Sequence, residues 1–324
     1  MLNRVDPELL PPLQDFMEFV GGALSLRDIP AARTQVAAMF EAQSALAPEI
    51  TGVSTSDHQV SGIDGAPDLL LRVYAPVDAA NTLPGLLWIH GGGYVMGSVA
   101  QDDYQCRTLV KNSGCVVASV EYRLAPETPY PGSLNDCYAG LLWFAEHSEQ
   151  FAVDRDRIAI GGISAGGGLA ACLGLKARDR GEVQVAYQLL LCPMLDDTNL
   201  RQASATLPDT LLWTRENNLI GWRSLLGHEP GGKDVPMYAA ASRASDLSGL
   251  PPTFIGVGDI DLFAEENIDY ALRLIASDVA TELHVYPGGY HAFEGFAPMS
   301  ALAQQYNRDR DAALCRALRR EALV

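Results

Sequence analysis

Seven short apolar runs alternate with helical patterns along this chain, and no other feature restricts its fold as strongly. The runs are "LLLRVYA" (69–75), "LPGLLWIH" (83–90), "CVVASVEY" (115–122), "RIAIGG" (157–162), "AYQLLLC" (186–192), "PTFIGVG" (252–258) and "ELHVYP" (282–287). Each is strand-length and mostly apolar, as strands buried within a sheet are. Between most of them lie "DDYQCRTLVKNS", "GSLNDCYAGLLWFAEHSEQF", "AGGGLAACLGLKARDRG" and "LFAEENIDYALRLIAS", which read as helices. Strand–helix alternation predicts an α/β fold, a mostly parallel sheet with helices on both faces and right-handed crossovers.

Two stretches break the rhythm. Residues 1–45 are helical in pattern but precede the first of these runs, and residues from about 196 to 245 contain "TRENNLIGWRSLLG" without a strand of their own. Together they predict a helical cap over the carboxyl ends of the strands, where open α/β sheets bind their ligands. A chain of 324 residues, 48% hydrophobic, suffices for one large core, so a single capped domain over 1–324 is expected.

The net charge of −17 argues against nucleic acid and anionic membrane as partners. None of the six cysteines form C-x-x-C, and most sit in apolar runs, so buried free thiols are expected. The six histidines show no metal-ligand spacing, and no metal site is expected. The first residues lack the basic start and unbroken apolar core of a signal peptide, and no run of 18 apolar residues occurs. The expected compartment is the cytoplasm.

The segment "GGISAGGG" (161–168) admits two readings. Gly166, Gly168 and Ala171 fit the dinucleotide pattern G-x-G-x-x-A, but the segment follows about the fourth run rather than the first, and Ser164 is left unexplained. Read instead as G-x-S-x-G, Gly162 to Gly166 lie between a strand and a helix, the context of a nucleophile elbow that projects Ser164 from a strained turn.

A second element favours the elbow. "HGGGYVMGS" (90–98) follows a strand, and such a loop brings backbone N–H groups to a substrate oxygen. Gly92 and Gly93, with Ala165 directly after the serine, are the expected oxyanion donors. His90 is expected to order the loop by hydrogen bonding. The base must follow the serine, which leaves His228, His284 and His291. His228 sits in a polar turn and His284 inside a strand, whereas His291 lies in a glycine-rich loop just past the last strand. The acid should follow the preceding strand, where "GDIDLFAEEN" offers Asp259, Asp261, Glu265 and Glu266. Position alone leaves Asp259 and Asp261 both open, and Asp261 doubles as a candidate helix cap. Tyr94, Trp213 and Phe293 are candidate substrate contacts, against the simpler reading of aromatic core packing.

With "VEYRLAPETPYPGSLNDC" (120–137) and "YHAF" (290–293), these segments resemble the hormone-sensitive-lipase-like group of α/β-hydrolases, the bacterial family IV esterases, from about residue 69 onward. The resemblance implies a carboxylesterase without cofactor, acting on small esters, and its D-P-L-x-D-E pattern laid on "DLFAEE" points to Asp261 as the acid. In the group a homodimer through the last strand or helix is common; the amphipathic helix 308–323 fits that role and equally fits packing on its own sheet. The group's heroin-esterase type is similar in "SAGGGLAA" and "LKARD". Ile163 departs from the usual Asp or Thr before the serine, and Leu262 from the usual proline. An amidase or acyltransferase would use the same residues. A fold member that only binds ligand is the other alternative; the resemblance implies that such a branch lacks the histidine, whereas Ser164, Asp261 and His291 are all present here.

Overall fold

The computed structural model describes residues 2–22, 24–78, 81–199 and 212–319. Its centre is an eight-stranded sheet in the order β1-β2-β4-β3-β5-β6-β7-β8. The strands are β1 (Val53–Val60), β2 (Leu69–Pro76), β3 (Leu83–Ile89), β4 (Val116–Val120), β5 (Val153–Ile163), β6 (Tyr187–Leu191), β7 (Thr253–Gly258) and β8 (Thr281–Tyr286). All seven apolar runs are strands. Pairing is parallel from β4 through β8, and antiparallel where β2 meets β1 and β4.

The sequence reading missed β1. At the sheet edge, all but Val60 of its residues keep some contact with solvent. "VSTSDHQV" therefore carries no apolar run, and the strand is defined by its register with β2. β5 also begins earlier than "RIAIGG", because Val153 pairs with Leu83 across a register shift. Its solvent-facing first half reads as polar.

The helices are α1 (Leu10–Val20), α2 (Ile29–Leu46), α3 (Asp103–Ser113), α4 (Gly132–Glu146), α5 (Ala165–Arg180), α6 (Arg215–Leu226), α7 (Ala264–Ala276), the single turn α8 (Phe293–Phe296) and α9 (Ala301–Leu318). Every α5 residue from Ala165 to Ala177 is buried, so this helix lies between the sheet and the elements above it. α9 turns Ala303, Tyr306, Ala313 and Leu314 inward against β6, β7 and α3. Its apolar side is thus occupied within the chain, and the segment 320–323 lies outside the described residues. No described helix is long and apolar enough to cross a membrane.

Two regions close over the carboxyl ends of the strands. Asn217 on α6 accepts the Leu26 amide at 3.0 Å and donates to the Leu24 carbonyl at 2.7 Å. On α2, Arg33 donates to the carbonyls of Val95 and Ala125 at 2.6 and 2.9 Å. Part of the expected cap segment, residues 200–211, lies outside the described residues. Of the cysteines, five are buried free thiols and Cys315 is half-buried.

Candidate active site

Ser164 sits at the junction of β5 and α5 with φ 57° and ψ −122°, a conformation that costs an L-residue a few kcal/mol unless its surroundings hold it. Here they do. Its amide donates to the Leu191 carbonyl at 2.8 Å, and its carbonyl accepts from Gly168 and Met194, both at 3.0 Å. Glycine on either side follows from space. A Cβ on Gly162 would lie 2.5 Å from the Gly166 carbonyl, and one on Gly166 would lie 2.1 Å from the Ile89 carbonyl oxygen. The turn closes only without those atoms, and the serine hydroxyl is what it projects.

His291 reaches that hydroxyl from the loop after β8. Its Nε2 is 2.9 Å from Ser164 Oγ, and its Nδ1 is 2.8 Å from Asp261 Oδ2. A carboxylate can only accept, so Nδ1 carries the proton and Nε2 is left to accept from the serine. Asp261 arrives from the turn after β7. Its other oxygen accepts the Phe263 amide at 2.9 Å, which locks the carboxylate toward the imidazole. The expected helix-cap role falls away, because the residue that caps α7 is Phe263 and Asp261 stands two positions earlier, closing the turn before it. Asp259, the rival acid, binds Arg4 at 2.9 Å and the Gly288 amide at 2.7 Å, away from His291. His228 accompanies the Glu229 carbonyl in an exposed turn, and His284 pairs with Glu282.

The imidazole is walled by rings. Phe263 meets it edge-on with centroids 5.1 Å apart, and Trp213 stands at 6.2 Å. Phe263 was not singled out in the sequence, since nothing marks which apolar residue of "DLFAEE" turns inward. Trp213 also covers the glycine loop: a Cβ on Gly93 would fall 2.3 Å from its ring. Of the three expected substrate contacts, Trp213 is the one beside the triad residues. Tyr94 is fully buried, its hydroxyl donates to the Met194 carbonyl at 2.9 Å, and its ring packs at 5.2 Å on Trp222. Phe293 turns into the core against Tyr286 and Tyr306, at 6.0 and 5.4 Å. For these two, core packing replaces the expected contact.

Gly92 (φ 117°) and Gly93 (φ 60°) adopt backbone angles that favour glycine, and a Cβ on Gly92 would lie 2.1 Å from the Met96 carbonyl oxygen. Ala165 opens α5, where the first amides have no partner within the helix and the positive end of the dipole attracts negative charge. His90 orders this loop. Its Nδ1 donates to the Gly91 carbonyl at 2.9 Å, its ring stacks on Tyr122 at 4.2 Å, and burial pushes its pKa down to about 4. Glu266, buried beneath, accepts the Leu195 and Asp196 amides at 2.7 and 3.3 Å and fixes the loop after β6. Burial raises its pKa well above the usual carboxylate range.

A family profile of the α/β-hydrolase fold matches residues 86–295, from β3 into α8. The chain belongs to the α/β-hydrolase family. Within it, this hydrolase falls in the hormone-sensitive-lipase-like group whose motifs it carries. A bacterial heroin esterase shares 41% identity with it and superposes with a TM-score of 0.93, covering 98% of this chain and 99% of that one. The esterase LipW from Mycobacterium marinum shares 31% identity at a TM-score of 0.87, over 98% of this hydrolase and 96% of its own chain. Carboxylesterase NlhH from Mycobacterium tuberculosis is 34% identical over 278 residues, which is 84% of this chain and 85% of that protein.

Proposed function

We propose that this hydrolase is a serine carboxylesterase that cleaves short-chain acyl esters through an acyl-enzyme. The observation that carries the reading is the unbroken hydrogen-bonded series Asp261–His291–Ser164, at 2.8 and 2.9 Å, beneath a glycine loop and a helix N-terminus. His291 Nε2 takes the Ser164 proton as Oγ attacks the ester carbonyl carbon. The Asp261 carboxylate stabilises the imidazolium that forms. Negative charge develops on the carbonyl oxygen, and the amides of Gly92, Gly93 and Ala165 bind it. Each such donor is worth about 3–4 kcal/mol in the transition state. His291 then returns the proton to the departing alkoxide, and the alcohol leaves. In the second half, His291 deprotonates water, which attacks the acyl-Ser164 ester and frees the acid.

The preference for short acyl chains is supported by Trp213. Its ring lies against Gly93 and beside His291, which leaves little room for a long chain there. The cap is read as α1, α2 and α6, joined through Asn217. The names of the similar proteins, carboxylesterase and esterase, agree with this chemistry.

Hydrolysis of p-nitrophenyl esters from acetyl to palmitoyl tests the proposal, with wild type beside Ser164→Ala. Turnover of the shortest esters, abolished in the variant, is expected. A folded wild type that turns over none of them would overturn it, and amides or acyl acceptors would then be the substrates to try.

A further inference from the structure

Directly beside the Asp261–His291 pair lies a chemically capable group that ester hydrolysis leaves idle. Cys192 follows β6, and a ligand atom from each of Cys192, Asp261 and His291 lies within 4.8 Å of the others, all three residues being buried. The thiol is held in place. Its residue takes φ 34°, and its amide donates to the Gly256 carbonyl at 2.8 Å. Val257 and Ala264, with Ile163 and Ala292 packed on, form a small apolar collar about it.

Thiolate, imidazole and carboxylate form a ligand set suited to zinc, with bonds of about 2.3 Å to sulfur and about 2.0–2.2 Å to nitrogen and oxygen. Tetrahedral binding at those lengths separates ligand atoms by roughly 3.3–3.8 Å, within the 4.8 Å spread seen here. The 2.8 Å Asp261–His291 contact must open slightly, and the sulfur must close on the other two where it stands farther off than that. Charge also balances: one thiolate and one carboxylate neutralise a divalent cation, so the loaded site is neutral where a buried net charge would be costly.

We propose that the triad doubles as an inhibitory site for a thiophilic divalent cation such as zinc, with Cys192 as its third ligand. Binding breaks the Cys192 S–H bond, forms the metal–sulfur bond and releases one proton to water. No oxidant or reductant takes part. If the metal takes Nδ1, that proton moves to Nε2, which then faces Ser164 as a donor. If it takes Nε2, the acceptor lone pair is occupied. Either way the serine loses its base. The inhibitory consequence rests on His291 acting as that base, while the site itself does not.

The test therefore has two readouts. Cadmium stands in for zinc, and its thiolate bond absorbs in the ultraviolet. Titrated into wild-type protein, it should produce one absorbance step per chain that is missing from Cys192→Ala. Separately, zinc should inhibit ester hydrolysis by the wild type, with a chelator restoring the rate. In Cys192→Ala, the half-inhibiting concentration should rise by about a hundredfold or more, because a lost ligand costs more than the ~10–100-fold of a lost supporting hydrogen bond. Each variant is compared with its own metal-free rate, and Cys192→Ser, which keeps the size of the side chain without a thiolate and is not β-branched at this positive φ, replaces the alanine variant should that one not fold. Equal zinc sensitivity of wild type and variant, or no Cys192-dependent absorbance, overturns the proposal. A wild type inactive without metal would instead discredit the esterase reading, leaving the cadmium result to stand or fall alone.

Discussion

At the residue scale, two aspartates two positions apart should behave as different kinds of residue. Asp261→Asn keeps the shape but offers the imidazole the wrong partner, and kcat should fall by about 10⁴. Asp259→Asn loses only a half-exposed pairing with Arg4 and the Gly288 amide, and steady-state rates on a p-nitrophenyl ester should stay within a few-fold of wild type. Comparable losses in both would refute the assignment. Gly166→Ala should unseat the elbow itself, because its Cβ would meet the Ile89 carbonyl, a backbone atom that cannot swing aside. The expected cost is about 1–3 kcal/mol or more, read as a lower midpoint in urea. Ser164 and His291, which a hydrogen bond joins here, were legible because each motif records a local backbone need that only certain residues meet. Asp261 over Asp259 was not legible from position, since both follow β7. For Tyr94 and Phe293 the sequence left packing and substrate contact both open for a related reason: which way a ring points is decided by neighbours distant in sequence, here Met194 and Trp222 for one, Tyr286 and Tyr306 for the other.

At the scale of elements, Asn217 joins α6 to the segment before α2 by two buried hydrogen bonds. Asn217→Ala leaves the Leu26 amide and the Leu24 carbonyl without their partner, at about 1–3 kcal/mol for each group stranded away from water. That loss should fall on the cap and spare the sheet. KM for short esters should rise more than kcat falls, and limited proteolysis near residues 22–28 should quicken. Unchanged proteolysis would mean that other contacts hold the cap. Seven of the eight strands announce themselves in sequence as mostly apolar runs; for the central ones, β3 to β7, this follows from coverage on both faces, while β8 at the far edge is only half-buried. β1 does not announce itself, since an edge strand can be built from serine, threonine and aspartate and still pair along its whole length with β2. The proposed cap leaves only a break in the rhythm as its sign in the sequence, because helices that cover a site need no pattern of their own beyond one apolar side.

At the scale of the molecule, acid stability depends in part on buried His90 and half-buried Asp102, which titrate in opposite senses. His90 is held down to about 4, so between an unfolded pKa of about 6.5 and pH 4 the unfolded chain takes a proton that the folded one refuses, and acidification removes stability. Asp102, bonded to the Trp88 indole at 2.6 Å, is pushed by burial up to about 6, so it binds its proton earlier in the folded state. Acidification from 6 toward its unfolded value of about 3.9 returns stability. Each shift is worth about 3 kcal/mol, and in the wild type they nearly cancel. Asp102→Asn should therefore gain stability at neutral pH and lose about that much relative to wild type on going from pH 6.5 to 4, as followed by thermal midpoints. Parallel pH curves for the two proteins would sink the account. One last arrangement concerns time more than energy. The Asp6 amide binds the Gly288 carbonyl at 3.1 Å, the Tyr290 hydroxyl reaches the Leu9 carbonyl at 3.4 Å, and Phe16 packs edge-on against Phe296 at 5.2 Å. The opening residues of the chain thus finish their fold only against the loop that carries His291, nearly three hundred residues later. Ser164 and His291 lie 127 residues apart, so in synthesis the hydroxyl waits for its hydrogen-bond partner until the last strand and the loop after it have been made.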